Sequence, residues 1–129
     1  MQKCVGLFVK KKIMKVYISG KITGLPIEEA KQNFKNCELM LIEEGYEVVN
    51  PMELPEHEAI LAMDEMELVE DGKWYLHMKA DIKAMMDCDG IFVMMNYTES
   101  KGAKIEYKLA MELGLFGLYQ NTSTAYLTS

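Results

Sequence analysis

The sequence contains no arginine, and all fourteen of its basic residues are lysines. A bound phosphate group would therefore be held by lysine, hydroxyl groups, backbone N–H groups or a helix N-terminus, because the planar guanidinium fork is missing. Acidic residues outnumber basic ones by twenty to fourteen, which leaves a net charge of −6. This balance argues against a surface for nucleic-acid polymers, which needs clustered cations. A single nucleotide remains compatible with it.

Cysteine is scarce, and no long apolar run is present. Cys4, Cys37 and Cys88 are odd in number and match no zinc-site spacing, which is typical of reduced thiols in a cytoplasmic protein. We predict that Cys37 and Cys88 pack in the core. The apolar stretch at residues 4–9 precedes three lysines and is too short for a secretory segment or a membrane span. These features predict a soluble, cytoplasmic protein without membrane contact.

Strand and helix patterns alternate along the chain. The predicted strands cover residues 15–19, 46–50, 90–95 and 116–119, and the predicted helices cover 27–44, 73–86 and 102–113. Short joints between strand, helix and strand indicate right-handed parallel units. The predicted fold is therefore α/β, a three-layer Rossmann- or flavodoxin-like sandwich around a mostly parallel sheet of four to five strands. We predict an N-terminal extension (1–13), one α/β domain (14–119) and a polar tail (120–129).

Residues suited to metal binding are concentrated in one acidic stretch. Residues 53–71 contain eight carboxylates, with His57 as the sole basic side chain among them. We interpret this stretch as a solvated loop or helix, and a metal-binding segment or lid is the less favoured alternative. His57 and His77 are too scattered in sequence to predict a metal site with the cysteines. We therefore expect neither a metal ion nor an organic cofactor.

Two carboxylates occupy helical positions that otherwise hold core residues. Asp81 shares a helix face with an apolar set at three- and four-residue spacing: Trp74, Met78, Ile82 and Met85. Glu106 begins an apolar stripe that continues with Leu109, Ala110 and Leu113. Both side chains are predicted to point inward. Since an unpaired buried charge costs several kcal/mol, the pair indicates an acidic cleft with a chemical role, and structural ion pairs or helix caps are the alternative.

Two loops are predicted to meet at the carboxyl ends of the parallel strands, where α/β sheets bind ligands. Residues 20–24 follow the first strand and residues 96–102 follow the third. Neither loop has the glycine spacing of a P-loop or a dinucleotide-binding turn. Ser100 is predicted to stand at a helix N-terminus, where it can cap the helix or hold a phosphate or hydroxyl group. The helix dipole is predicted to keep the nearby Glu106 ionised.

Eighteen residues in a fixed order carry a family resemblance over about residues 14–118. They are Tyr17, Ile18, Ser19, Gly20, Ile22, Thr23, Gly24, Asn50, Pro51, Trp74, Asp81, Cys88, Asp89, Gly90, Ser100, Gly102, Ala103 and Glu106. In this set the chain resembles the nucleoside 2-deoxyribosyltransferase superfamily, and more closely a bacterial and phage branch of it. It is also similar to deoxynucleoside 5′-monophosphate N-glycosidases.

The resemblance implies roles for these residues. Glu106 would attack the anomeric carbon of a deoxyribosyl group, and Asp81 would position or protonate the leaving base. Retaining displacement at such a carbon uses two carboxyl groups about 5 Å apart. The implied substrate-binding residues come from the two loops and the first strand: Tyr17, Ser19, Gly20, Lys21, Ser100 and Gly102.

The same resemblance narrows the substrate. Related transferases have an aspartate near the glycine of the last motif, whereas related nucleotide hydrolases have a serine, and this chain has Ser100. Together with Lys21, this favours a 5′-monophosphate as substrate and water as acceptor. The predicted function is an N-glycosidase or deoxyribosyltransferase acting on deoxynucleosides or their 5′-monophosphates, in a homodimer or larger homo-oligomer. A binding module that senses a nucleotide-like ligand without cleaving it is the main alternative, and a purely structural subunit is the third.

Overall fold

A parallel sheet forms the centre of the protein. The computed structural model describes residues 12–63 and 72–121, so the predictions for Cys4, for most of the extension and the tail, and for residues 64–71 lie outside it. Within those ranges the strands are β1 (Lys15–Ser19), β2 (Glu47–Val49), β3 (Gly90–Val93) and β4 (Phe116–Tyr119). They pair in the order β2-β1-β3-β4, and every pairing is parallel. The predicted fold class is confirmed.

Helices cover both faces of the sheet. The described helices are α1 (Ile27–Glu43), α2 (Pro55–Leu61), α3 (Gly72–Met86) and α4 (Lys101–Leu113). One core cluster joins β1 to α1 through Val16, Ile18 and Phe34. The other joins β1 to α3 through Tyr17 and Met85. Because successive strand residues point to opposite faces, the alternation along β1 directs Tyr17 and Ser19 toward α3 and α4.

The observed burial of two cysteines and two carboxylates agrees with the sequence predictions. Cys37 and Cys88 are buried, as predicted. Asp81 and Glu106 are also buried, which confirms their inward orientation. Leu113 is the exception in the Glu106 stripe, because it is 51% exposed. It is the last residue of α4, just before Gly114 ends the helix at a positive φ.

Two predicted strands end earlier than expected because a 3₁₀ turn follows each of them. β2 ends at Val49, since the Asn50 side chain accepts a hydrogen bond from the Met52 N–H and starts a 3₁₀ turn over Pro51–Glu53. β3 ends at Val93, and a second 3₁₀ turn covers Met95–Glu99. The acidic stretch includes the short helix α2, which agrees with our interpretation of this stretch as a solvated loop or helix.

In the ranges that the structure describes, no helix is both long enough and apolar enough to cross a bilayer.

Candidate functional site

A cleft with a volume of about 1280 Å³ opens beside the carboxyl end of β1. Its walls come from the start of α1, the segment after β2, α2, α3 and the start of α4. The loop 20–24 contributes Gly20, Ile22 and Thr23 to the lining, and the start of α4 contributes Ser100 and Gly102. The two predicted loops therefore converge on one cavity, as expected at the carboxyl ends of parallel strands.

Glu106 lies near the start of α4 and faces the end of β1. It lines the cleft but is only 4% exposed. Ser19 Oγ donates a hydrogen bond of 2.7 Å to one carboxylate oxygen, and Tyr17 Oη donates one of 2.9 Å to the other. Because Tyr17 and Ser19 are two residues apart on β1, the strand places both hydroxyl groups on the same face. This arrangement holds the carboxyl group in one orientation from behind.

The surroundings of Glu106 favour its neutral form. Burial, and secondly the nearby charge of Asp81, raise the pKa of Glu106 from its ordinary value of 4.5 to about 8. The two hydroxyl donors lower the pKa but do not offset these effects. The raised pKa acts against the prediction that the helix dipole keeps Glu106 ionised. Loss of hydration on burial is the largest cause of this shift.

Asp81 points from α3 into the same cleft. It is 7% exposed, and its Oδ1 lies 2.8 Å from Nε2 of His57 on α2. Burial raises the pKa of Asp81, while the hydrogen bond to His57 acts in the opposite direction. The charge of Asp81 raises the pKa of Glu106, so the two carboxyl groups interact electrostatically. Either group therefore ionises more readily when the other is neutral.

The sequence analysis missed the role of two histidines. His57 and His77 line the cleft, their ring centroids are 4.7 Å apart, and their Nδ1 atoms are in hydrogen-bond contact. No sequence motif signals this contact, because it depends on how α2 packs against α3. In the described ranges, no group of three or more His, Cys, Asp or Glu side chains is arranged to hold a metal ion.

Four of the six implied substrate-binding residues line the cleft, and Ser19 and Lys21 are not among its lining residues. Tyr17, Gly20, Ser100 and Gly102 line the cleft. Ser19 is fully buried and contacts Glu106 from behind. Lys21 instead directs its ammonium group to Glu99 at 3.2 Å, and its backbone N–H donates to Asn96 Oδ1.

Ser100 and Lys101 begin α4 at the rim of the cleft. Ser100 Oγ accepts a hydrogen bond of 3.1 Å from the Ala103 N–H, so the helix-cap interpretation is confirmed. A capping hydroxyl can still contact a ligand, since its proton is free to donate. Lys101 Nζ lies 4.4 Å from the centroid of the Trp74 ring, and both residues line the cleft. Lys101, rather than Lys21, therefore brings an ammonium group to the cleft.

Glycine at position 20 is required by packing inside the protein. A Cβ atom there would clash with Sδ of the buried Met94 and lie 3.0 Å from both its Cβ and its Cγ. We expect Gly20→Ala to destabilise the protein by about 1–3 kcal/mol through overpacking, without any ligand present. Urea unfolding measures this loss, and a double-mutant cycle with Met94→Ala should show that removing the neighbour recovers part of it. An unchanged unfolding midpoint for Gly20→Ala would contradict the prediction.

Comparison with known proteins gives a family but no activity. No curated protein and no solved structure matches the chain. A family model described as a domain of unknown function, DUF4406, matches residues 14–119, which include β1 to β4, the cleft, Asp81 and Glu106. The chain therefore belongs to the DUF4406 family.

Proposed function

We propose that the protein cleaves the N-glycosidic bond of deoxynucleosides or deoxynucleoside 5′-monophosphates. The observation that carries the proposal is the Glu106 carboxyl group, which is held by two hydroxyl donors beside a second buried carboxyl group in a large cleft. A structural ion pair does not account for Glu106, since its described partners are hydroxyl groups. Buried groups with perturbed pKa values in a cleft are common at catalytic sites.

The proposed chemistry uses the two carboxyl groups in different states. The ionised Glu106 attacks the anomeric carbon, and the electron pair of the C–N bond moves to the nitrogen of the base. A proton from Asp81 neutralises the departing base. Water or a second base then attacks the same carbon and gives its proton to the Asp81 carboxylate. The ester bond breaks with its electron pair on Glu106, which regenerates the carboxylate. Tyr17 and Ser19 keep the Glu106 oxygens directed at the reacting carbon.

The resemblance to the nucleoside 2-deoxyribosyltransferase superfamily supports this assignment beyond the family match. The position of Ser100 favours a nucleotide hydrolase over a transferase, and Lys101 supplies a cation at the same rim. Trp74 and Tyr75 also line the cleft and offer aromatic surface for a base. We further propose a homodimer or larger homo-oligomer by analogy with that superfamily, which light scattering of the purified protein tests.

The pKa of Glu106 favours a second candidate function. A carboxyl group with a pKa of about 8 is mostly neutral at pH 7, and a neutral acid is a poor nucleophile. The alternative is therefore a module that binds a nucleotide-like ligand without cleaving it. It predicts saturable binding with no free base released.

Chromatography of released base distinguishes these functions. The purified protein is incubated with the four deoxynucleosides and their 5′-monophosphates, with and without a second base as acceptor. Base released from a monophosphate without an acceptor supports the hydrolase, and base exchange supports the transferase. Absence of release from every substrate at pH 7 and pH 9, combined with calorimetric binding, would favour the binding module.

The role of Asp81 gives a separate prediction. We expect Asp81→Asn to reduce kcat for base release by about 100-fold and to change KM by less than about threefold, because an amide can contact a base but cannot supply an acidic proton. Steady-state rates with the substrate found above measure both constants. A large rise in KM with unchanged kcat would instead assign Asp81 to substrate binding alone.

A further inference from the structure

Three cleft side chains form a continuous hydrogen-bonded chain, and the reaction proposed above gives a role to Asp81 alone among them. Asp81 Oδ1 contacts His57 Nε2 at 2.8 Å, and His57 Nδ1 contacts His77 Nδ1. All three residues line the cleft. The short helix α2 contributes His57, and α3 contributes Asp81 and His77 one helical turn apart. Both elements pack directly against each other.

The geometry restricts where protons can lie. A hydrogen bond between two imidazole nitrogens needs one N–H donor and one bare acceptor, so the two Nδ1 atoms share a single proton. The contact between His57 Nε2 and Asp81 Oδ1 also holds one proton. If His57 is the donor in the Nδ1 contact, a proton on Nε2 makes the pair imidazolium and carboxylate, and a proton on Asp81 makes it imidazole and carboxylic acid. If His77 is the donor, His57 is a neutral imidazole that donates from Nε2 to the Asp81 carboxylate. The His57–His77 hydrogen bond is satisfied in each of these states.

We propose that His57 and His77 are positioning residues that hold and replenish the proton that Asp81 delivers to the leaving base. This inference rests on the proposed function and deepens it. In the reaction, Asp81 gives its proton to the base nitrogen as the C–N bond breaks. The resulting carboxylate takes the proton from His57 Nε2, which leaves His57 neutral. When water or a second base attacks in the second step, its proton passes through Asp81 to His57 Nε2 and restores the starting state. His77 keeps the His57 ring oriented through the Nδ1 contact.

The charges around the pair agree with these roles. His57 faces Asp81 and His77 on α3, with Glu56 on its own helix, and its hydrogen bond to Asp81 raises its pKa above the ordinary value of 6.5. Burial, together with the neighbouring charges of His57 and Lys73, lowers the pKa of His77. Asp81, which lies on α3, interacts electrostatically with both histidines, with Glu106 on α4 and with Tyr17 on β1. These opposite directions favour His57 over His77 as the ring that carries a second proton.

A protonated His57 also affects the nucleophile. The charge of Asp81 is one cause of the high pKa of Glu106. When His57 neutralises that charge, less Coulomb energy opposes ionisation of Glu106. The histidine pair therefore favours the combination that the reaction needs, a proton near the base and an ionised Glu106. Loss of the proton from His57 at high pH should lower the rate.

Two variants of His57 separate proton transfer from simple support. The glutamine side chain of His57→Gln can place an amide N–H near the position of Nε2, so it keeps a donor toward Asp81 without a titrating proton. We expect kcat to fall by about 100-fold and KM to stay within about threefold. We also expect the pH at which kcat begins to decrease on the alkaline side to differ from that of the wild type. We also expect added imidazole to restore activity to His57→Ala by tenfold or more. Wild-type kcat and an unchanged pH profile for His57→Gln would overturn the proposal.

A titration by NMR tests the proton positions without any substrate. With ¹⁵N-labelled histidine, we expect His57 to titrate above 6.5 in the wild type and at a lower pH in Asp81→Asn, because its acceptor is lost. We expect His77 to titrate higher in His57→Gln than in wild type. An unshifted His57 in both proteins would overturn the inference. If the pKa values of the histidines shift as expected but the protein releases no base from any substrate, the proposed function is overturned. The proton transfer from Asp81 to the base is then overturned with it.

Discussion

Replacing Glu106 by glutamine is expected to reduce the release of free base by roughly 10³-fold or more. The amide has nearly the shape of the carboxyl group but cannot form the ester with the anomeric carbon. Ser19 and Tyr17 can keep their contacts, because a hydroxyl group can donate to the amide oxygen or accept from the amide nitrogen. The variant should therefore fold and bind substrate while losing the chemical step.

Initial rates with the best substrate measure this loss, and calorimetry measures whether binding survives. Glu99→Gln is the matched control, since Glu99 is a carboxylate on the same cleft whose side chain is 64% exposed. We expect this control to keep activity within about threefold of wild type, because an exposed group away from the reacting atoms contributes little. Near-wild-type activity of Glu106→Gln would show that another group is the nucleophile.

The same substitution is expected to change how stability depends on pH. The pKa of Glu106 is raised from 4.5 to about 8 on folding, so the folded state binds its proton more tightly than the unfolded state does. This contribution is complete below pH 4.5 and is lost as the pH rises through about 8. The loss is on the order of 3–5 kcal/mol. Glutamine does not ionise, so Glu106→Gln should be more stable than wild type above pH 8.

Urea unfolding of both proteins at intervals between pH 5 and pH 9 measures this difference. Groups that titrate equally in the two proteins cancel when the free energies of unfolding are subtracted, so the remaining slope reports Glu106 and its coupling to Asp81. As the pH rises through this interval, we expect the free energy of unfolding of Glu106→Gln to increase relative to that of the wild type. For Glu99→Gln, the difference from the wild type should change little with pH. A flat difference for Glu106→Gln would show that Glu106 ionises at an ordinary pKa despite its burial.

Helix periodicity accounts for what the sequence predicted best about the site. Asp81 falls between Met78 and Met85 on the buried face of α3, and Glu106 is four residues before the buried Ala110 on α4. A helix repeats its faces every three to four residues, so the neighbours of a carboxylate determine its direction before any tertiary contact is known. The parallel order of strands then places both helices beside the carboxyl end of β1.

Side-chain partners across elements were not predictable in the same way. Lys21 has the sequence features of a phosphate ligand, yet Glu99 and Asn96 on the segment after β3 bind its ammonium and backbone N–H groups. His57 and His77 are twenty residues apart on separate helices, so no local pattern marks their contact. Such contacts depend on the packing of whole elements, which spacing along one helix does not encode.

The sequence by itself determined the α/β class, the parallel sheet, the two inward carboxylates and the convergence of the loops, because these follow from local periodicity and chain direction. Only the tertiary structure decided the state of the site. The hydroxyl groups of Tyr17 and Ser19, the charge of Asp81 and the exclusion of water act on Glu106 together, and their sum raises its pKa to about 8. That sum depends on distances and burial between elements far apart in the chain.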